Sequence, residues 1–333
     1  MFGFRSPGRR PGRSGTILVA TAALVLAGTT AGCSSAKTAD KKTYTVGFAV
    51  ASTKSPSFLL VMNDAFKAEA AKLGIKAELL DGNWDDATQA ANVEKLVTEK
   101  VDFILVCSSS PTSVLPAIKH AKAAGIPVIA VNAQLDASAD ADLVTYVGAS
   151  DFQFGQGQGN LVVQALPDGG KIAVVEGPPA DSAAINRLAG NKDVLKTHTD
   201  IEIVATPHDD FDKDKNVTVI QDLLNKYPKG TLNAIVAQGP QLYAGAEYAQ
   251  KIGRTDVIFI AGDYHTQAED AIKSGALYGT VNQSPSLEGK LGADYAYYWL
   301  TGQKSKVPQP KAYIPLPLIT KDNVDTNKAD WTG

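Results

Sequence analysis

The chain has 333 residues, of which 44% are hydrophobic and 20% charged, enough for two packed units of ordinary domain size. Its formal net charge is −3; residues 1–32 hold four arginines and no acid, so the remainder carries 28 basic against 35 acidic side chains, about −7. That balance argues against a nucleic-acid partner. With only Cys33 and Cys107, and Cys107 inside the apolar run Phe103–Val106, no disulfide framework is available.

Arg5, Arg9, Arg10 and Arg13 precede an apolar run from Thr16 to Gly28, and small residues follow. This reads as an export signal over residues 1–32, with an apolar stretch too short for a comfortable membrane span. Thr30-Ala31-Gly32-Cys33 resembles a bacterial lipobox in which Thr30 replaces the usual Leu. The resemblance implies that Cys33 is lipidated and holds the protein on the outer face of the cytoplasmic membrane. Residues 33–42 are polar and small and read as a tether that cannot bury a core.

From Tyr44 the chain alternates short β-rich runs with longer helical patterns, the signature of parallel sheets covered by helices on both faces. The first series predicts strands at 43–51, 76–82, 102–110 and 127–132, separated by helices over 57–73, 85–99 and 111–124. Leu59, Met62, Phe66 and Leu73 share one face of the first helix, and Val93, Leu96 and Val97 one face of the second. After TYVGAS (145–150) the pattern repeats with a helix over 151–166, KIAVVEG, a helix to about 197, IEIVATP, a helix over 213–227, AIVAQ, a helix to 252, VIFIAGD, a short helix and GTVNQ (279–283). A helix over 287–300 and a strand YIPLPLI (313–319) follow. The expected fold class is α/β, with two doubly wound parallel-sheet lobes.

In open parallel sheets ligands sit beyond the carboxyl ends of the strands. Here those segments are small and polar, among them Lys54, Trp84, Ser108–Ser110, Asn132, Asp181, Asp209–Asp212, Gln238-Gly239, Asp263 and Gln283. Amides, hydroxyls and carboxylates suit a ligand rich in hydroxyls, and Phe58, Trp84, Phe211 or Tyr264 could stack on an apolar ring face. Asp85, Asp151 and Asp212 precede helices and read as N-caps. Asp263 and Gln283 directly end strongly apolar strands and read as ligand contacts. Arg187, inside a helix, reads as a solvated or interdomain residue.

Enzymatic readings fail on spacing. Gly155-Gln-Gly157-Gln-Gly159 lies inside a helix, where close packing explains it, and lacks the dinucleotide-binding spacing. HDDFDKDKN lacks the Gly and closing Glu of a calcium loop, the four histidines form no metal-ligand pattern, and there is no G-x-S-x-G elbow. No enzyme activity, cofactor or metal is expected.

The segments VGFAVASTKSPSF, LDGNWDDATQAANVEKLV, DFILVCSSSPTSVLPAIKHAKAAGIPVIAVN, VGASDFQFG, EGPPADSAAINRLAG, DFDKDKNVTVIQDLL, AGD and GTVNQSP span the body from about 44 to 320. Together they resemble the ribose-binding-protein group of type I periplasmic binding proteins, the solute receptors of sugar ABC transporters. The resemblance implies lobes of 43–149 plus 284–316 and 150–283 plus 317–333. It also implies three hinge crossings, near Ala149–Asp151, Gln283–Pro285 and Leu316–Leu318. It nominates Phe58, Asn132, Asp181, Phe211, Gln238 or Gly239, Asp263 and Gln283 as cleft residues, with Lys54 in the loop of the first contact. Its implied partners are a monosaccharide, sugar derivative or polyol and the permease and ATPase of an importer, with the receptor working as a monomer; a signalling or chemotaxis receptor is the alternative. Asn132-Ala133 replaces the group's Asp-Arg pair, and Ile185 stands where its second-lobe Arg is expected, which predicts a ligand other than ribose. A regulator of the same body would need a helix-turn-helix ahead of the first strand, where this chain has a signal and tether.

Overall fold

The structure is a computed structural model that describes residues 43–54, 57–179 and 181–333. The export signal, the tether and Cys33 lie outside the described residues.

Strands buried on both faces must be apolar almost throughout, and those runs form two six-stranded sheets. In the first, β1 (Thr45–Val50), β2 (Lys76–Asp81), β3 (Phe103–Cys107), β4 (Val128–Val131) and β5 (Thr145–Gly148) pair in parallel in the order β2-β1-β3-β4-β5. Side chains alternate across β1: Val46, Phe48 and Val50 join one apolar cluster and Ala49 the other. The first cluster is covered by α1 (Ser57–Leu73) through Met62 and Phe66, the second by α2 (Asp86–Thr98) and α3 (Leu115–Ala123) through Leu96 and Ile118.

In the second sheet β6 (Gly170–Val175), β7 (Ile201–Ala205), β8 (Ala234–Ala237), β9 (Ile258–Gly262) and β10 (Gly279–Val281) pair in parallel in the order β7-β6-β8-β9-β10. One face packs on α4 (Asp151–Ala165) and α5 (Ser182–Leu195), the other on α6 (Lys213–Lys226), α7 (Leu242–Lys251) and α8 (Thr266–Ser274). The chain then returns to the first sheet, where α9 (Pro285–Leu300) packs against α1 and completes its Phe66 cluster through Ala293 and Ala296.

The single strand expected over 313–319 is two strands. Pro315 and Pro317 carry no backbone N–H, so the segment between them cannot sustain a ladder. Before it, β11 (Lys311–Tyr313) pairs in parallel with β5; after it, β12 (Leu318–Thr320) pairs antiparallel with β10. One short stretch thus belongs to both sheets. The last long helix starts at Pro285, with Ser284 capping it by accepting from the Leu287 N–H.

The glycine run of α4 serves helix packing. A Cβ at Gly155 would collide with the Arg187 carbonyl of α5, and one at Gly190 of α5 with the Phe152 carbonyl. Without side chains there, the two helices approach backbone to backbone, which fixes Arg187 at the end of α4 nearest Asp151.

Candidate functional site

The loops beyond the carboxyl ends of both sheets line one cleft of about 930 Å³, within the size range of small-molecule sites. Among the described residues seven non-glycine positions have a left-handed backbone, and four of them line this cleft: Trp84 (φ 57°), Asn132 (65°), Phe211 (57°) and Asp263 (55°). Each directly follows or lies a few residues beyond β2, β4, β7 or β9. Such conformations cost of order 1 kcal/mol or more per non-glycine residue and collect where a side chain must be aimed.

Arg187 organises the second-lobe wall. Its Nε donates to Asp151 Oδ1 at 3.0 Å, Nη1 to the Gln238 carbonyl at 2.7 Å and Nη2 to Gln283 Oε1 at 3.2 Å. The guanidinium stacks over Phe154 at 3.8 Å, and Nη1 lies 3.6 Å from Asp263 Oδ2. Burial pushes the Asp263 carboxyl above the usual range, and Arg187 opposes that rise. A buried cation held by carboxylates and a carbonyl is a rigid donor fork, and Asp263 beside it is an acceptor.

On the first-lobe side, Asn132 Nδ2 donates to Glu288 Oε2 at 2.9 Å, and Gln283 Nε2 donates to Glu288 Oε1 at the same distance. Glu288 is fully buried, and burial pushes its carboxyl up to about 8 despite those two donors. A continuous chain of hydrogen bonds therefore runs from Arg187 through Gln283 and Glu288 to Asn132, linking the two lobes behind the cleft. Cys107 also lines the cleft, with its thiol pushed up to about 12 by burial, away from the thiolate form.

Seven buried side-chain atoms lack a partner among the described residues, and three belong to cleft-lining residues: Asp263 Oδ1, Gln241 Oε1 and Trp331 Nε1. An orphaned buried polar group costs about 1–3 kcal/mol, so two acceptors and one donor left unsatisfied in residues of one cleft call for a structural explanation.

Phe58, Trp84, Asn132, Asp181, Phe211, Asp263 and Gln283 all line the cleft. Phe211 lies over Gly177 and Gly239, where any Cβ would strike its ring. Asp181 also caps α5, its Oδ1 accepting from the Ala184 N–H. Two expected contacts are elsewhere. Gln238 is fully buried with its amide consumed by the Gly177 N–H and the Ala184 carbonyl, leaving only its neighbour Gly239 in the wall. Lys54 is turned to solvent, 72% exposed, and pairs with Asp81 at 3.1 Å. Tyr264 is in the second-lobe core with its hydroxyl on the Asn327 carbonyl.

Asp85 and Asp212 cap α2 and α6 as expected. Asp151 does not, because Ser150 caps α4 and leaves Asp151 free to hold Arg187. Ile185 is 55% exposed, and the cleft wall takes its arginine from Arg187, two residues further along α5. One signal was available: beyond residue 13 the chain uses Lys for positive charge and has Arg only at 187 and 254. Glu288 and Trp331 had no such signal, since Asn132, which Glu288 meets, and Phe58 and His265, which Trp331 meets, are distant in sequence.

Two α/β lobes enclosing a cleft of fixed donors, acceptors and aromatic rings define a solute-binding protein. The chain belongs to the periplasmic binding protein domain family, whose profile matches residues 46–304. It is 30% identical over 283 residues to the ribose import binding protein RbsB of Bacillus subtilis, covering 85% of this chain and 89% of the relative. It is 32% identical over 244 residues to the xylitol-binding protein of Mycolicibacterium smegmatis, covering 73% and 68%. A solved ABC transporter solute binding protein from Bacillus halodurans with bound myo-inositol superposes with a TM-score of 0.77 at 28% identity, covering 87% of this chain and 98% of that one.

Proposed function

We propose that the protein captures a small polyhydroxylated solute, a monosaccharide, sugar derivative or polyol, and presents it to an ABC importer, with no catalytic role. The observation that carries this reading is the buried Arg187–Asp263 pair facing Asn132, with unpartnered acceptors on Asp263 and Gln241 and aromatic rings at Phe58 and Phe211. A planar carboxylate and a guanidinium each engage two neighbouring hydroxyls, while the rings cover apolar C–H faces. The ligands of the similar proteins, ribose, xylitol and myo-inositol, share that chemistry. Asn132-Ala133 in place of an Asp-Arg pair weights the choice toward a polyol, cyclitol or substituted sugar over ribose.

In this reading residues 43–149 with 284–316 and residues 150–283 with 317–333 close as two lobes about the three crossings, excluding water and forming the surface the permease reads. Phe58, Trp84, Asn132, Asp181, Phe211, Asp263 and Gln283 contact the ligand together with Arg187. The protein acts as a monomer outside the cytoplasmic membrane, tethered through lipid on Cys33. Mass spectrometry of membrane-extracted protein should find a lipidated Cys33; an unmodified Cys33 refutes the anchor. A calorimetric screen over pentoses, hexoses, linear polyols and cyclitols tests the main claim, with at least one binder expected. No binding across that panel overturns it.

A further inference from the structure

The segment after β12 is fastened to the second lobe along its length. Val324 enters the second-lobe core, the Tyr264 hydroxyl donates to the Asn327 carbonyl at 2.7 Å, and Glu269 accepts the Ala329 N–H at 2.9 Å while pairing with Lys328 at 3.1 Å. Thr266 donates its N–H to the Trp331 carbonyl at 3.0 Å, and Gly333 exchanges hydrogen bonds with the Gln267 amide. Asp330 accepts from the Ser284 hydroxyl at 2.7 Å, at the crossing that leads into α9.

From this base the segment reaches the first lobe. The Trp331 ring meets Phe58 edge to face at 5.3 Å, and the Ser57 hydroxyl donates to the Thr332 carbonyl. On its other side Trp331 contacts the His265 ring at 5.1 Å, and the His265 Nε2–H donates to the Pro240 carbonyl at 2.9 Å. Trp331 lines the cleft, is only 6% exposed, and its Nε1–H has no partner among the described residues. Buried indole N–H groups ordinarily find an acceptor, because leaving a donor unsatisfied costs about 1–3 kcal/mol.

We infer that Trp331 is a ligand-selecting residue of the cleft, its N–H donating to a hydroxyl oxygen of the bound solute, and that the segment Val324–Gly333 straps the second lobe to Ser57 and Phe58 of the first. The ligand half of this inference rests on the function proposed above. The strap is a further link between the lobes, beside the three chain crossings and the Gln283–Glu288 hydrogen bond. Because it carries a cleft wall on its tip, docking of the strap and completion of the site are one event.

The test uses the full chain, its Trp331→Phe and Trp331→Ala variants, and the same panel of pentoses, hexoses, linear polyols and cyclitols. Trp331→Phe keeps the ring and removes the donor, so it should weaken the tightest panel ligand by about tenfold, the worth of one hydrogen bond, and reorder the panel. Trp331→Ala should weaken it further and raise the radius of gyration of the ligand-free protein in small-angle scattering. Melting of the ligand-free variants confirms that both fold. If the wild type binds a panel ligand and both variants keep its affinity and the panel order, the selecting role is refuted. If the wild type binds nothing, the proposed function fails; the strap then stands or falls on whether Trp331→Ala expands the ligand-free molecule, and an unchanged radius refutes it.

Discussion

Asp263→Asn separates binding from folding. The side chain is 11% exposed, its Oδ1 has no partner among the described residues and its Oδ2 lies 3.6 Å from Arg187, so its charge is available mainly to a ligand. Asn tolerates the left-handed backbone at φ 55°, whereas Ala there costs about 1–2 kcal/mol. Arg187 keeps Asp151 at 3.0 Å and the Gln238 carbonyl at 2.7 Å, so the ligand-free melting temperature should move little. A bond to a charged group contributes about 1.5–3 kcal/mol, and weakening two of them raises Kd by about 100-fold. With ligand at one hundred times the wild-type Kd, ligand stabilisation falls from about 2.7 to about 0.4 kcal/mol. The corresponding thermal shift drops from about 5–10 °C to about 1 °C, read by scanning fluorimetry and checked by calorimetry. A variant that keeps the full shift refutes the assignment of Asp263 to the ligand.

Arg187→Met strands the buried Asp151 and Asp263 and should destabilise the ligand-free protein by about 3–5 kcal/mol; adding Asp263→Asn should recover part of that loss, and strict additivity in urea melts would show that the two charges are not coupled. Gly155→Ala should cost about 1–3 kcal/mol by forcing α5 away and should weaken ligand binding with it; wild-type melting and affinity would refute the role of that close approach. Glu288 binds its proton up to about 8 in the folded protein against an ordinary 4.5, so the folded state holds more protons across that window and stability should fall as pH rises through it. Urea melts at pH 6 and 9 should show the fall, Glu288→Gln should flatten it, and an unchanged slope in that variant would assign the effect to another group.

The strand and helix order was legible because two periods, near 2 and near 3.6, are local properties of the chain, and parallel strands buried on both faces cannot hide their apolar runs. The site was legible in outline for the same reason, since loops after strands can be found without knowing the fold. It failed where a side chain's role depends on a neighbour far away in sequence. Asp151 reads as a cap until Ser150 takes that role and α5 brings Arg187 beside it. Gln238 reads as a ligand amide until Gly177 and Ala184 satisfy both of its ends.

The sequence by itself determined the two-lobed α/β architecture, the polar character of the cleft and the residues Phe58, Asn132, Phe211, Asp263 and Gln283 that line it. Only the tertiary structure decided that Arg187 is a buried cation of the cleft wall, that Glu288 ties Gln283 to Asn132, that the 313–319 stretch divides between two sheets, and that Trp331 closes a wall against Phe58. Periodicity reports which face of an element is buried. It does not report which of two polar neighbours will meet a partner on a different element far along the chain, and that pairing decides whether a group is spent inside the protein or left for a ligand.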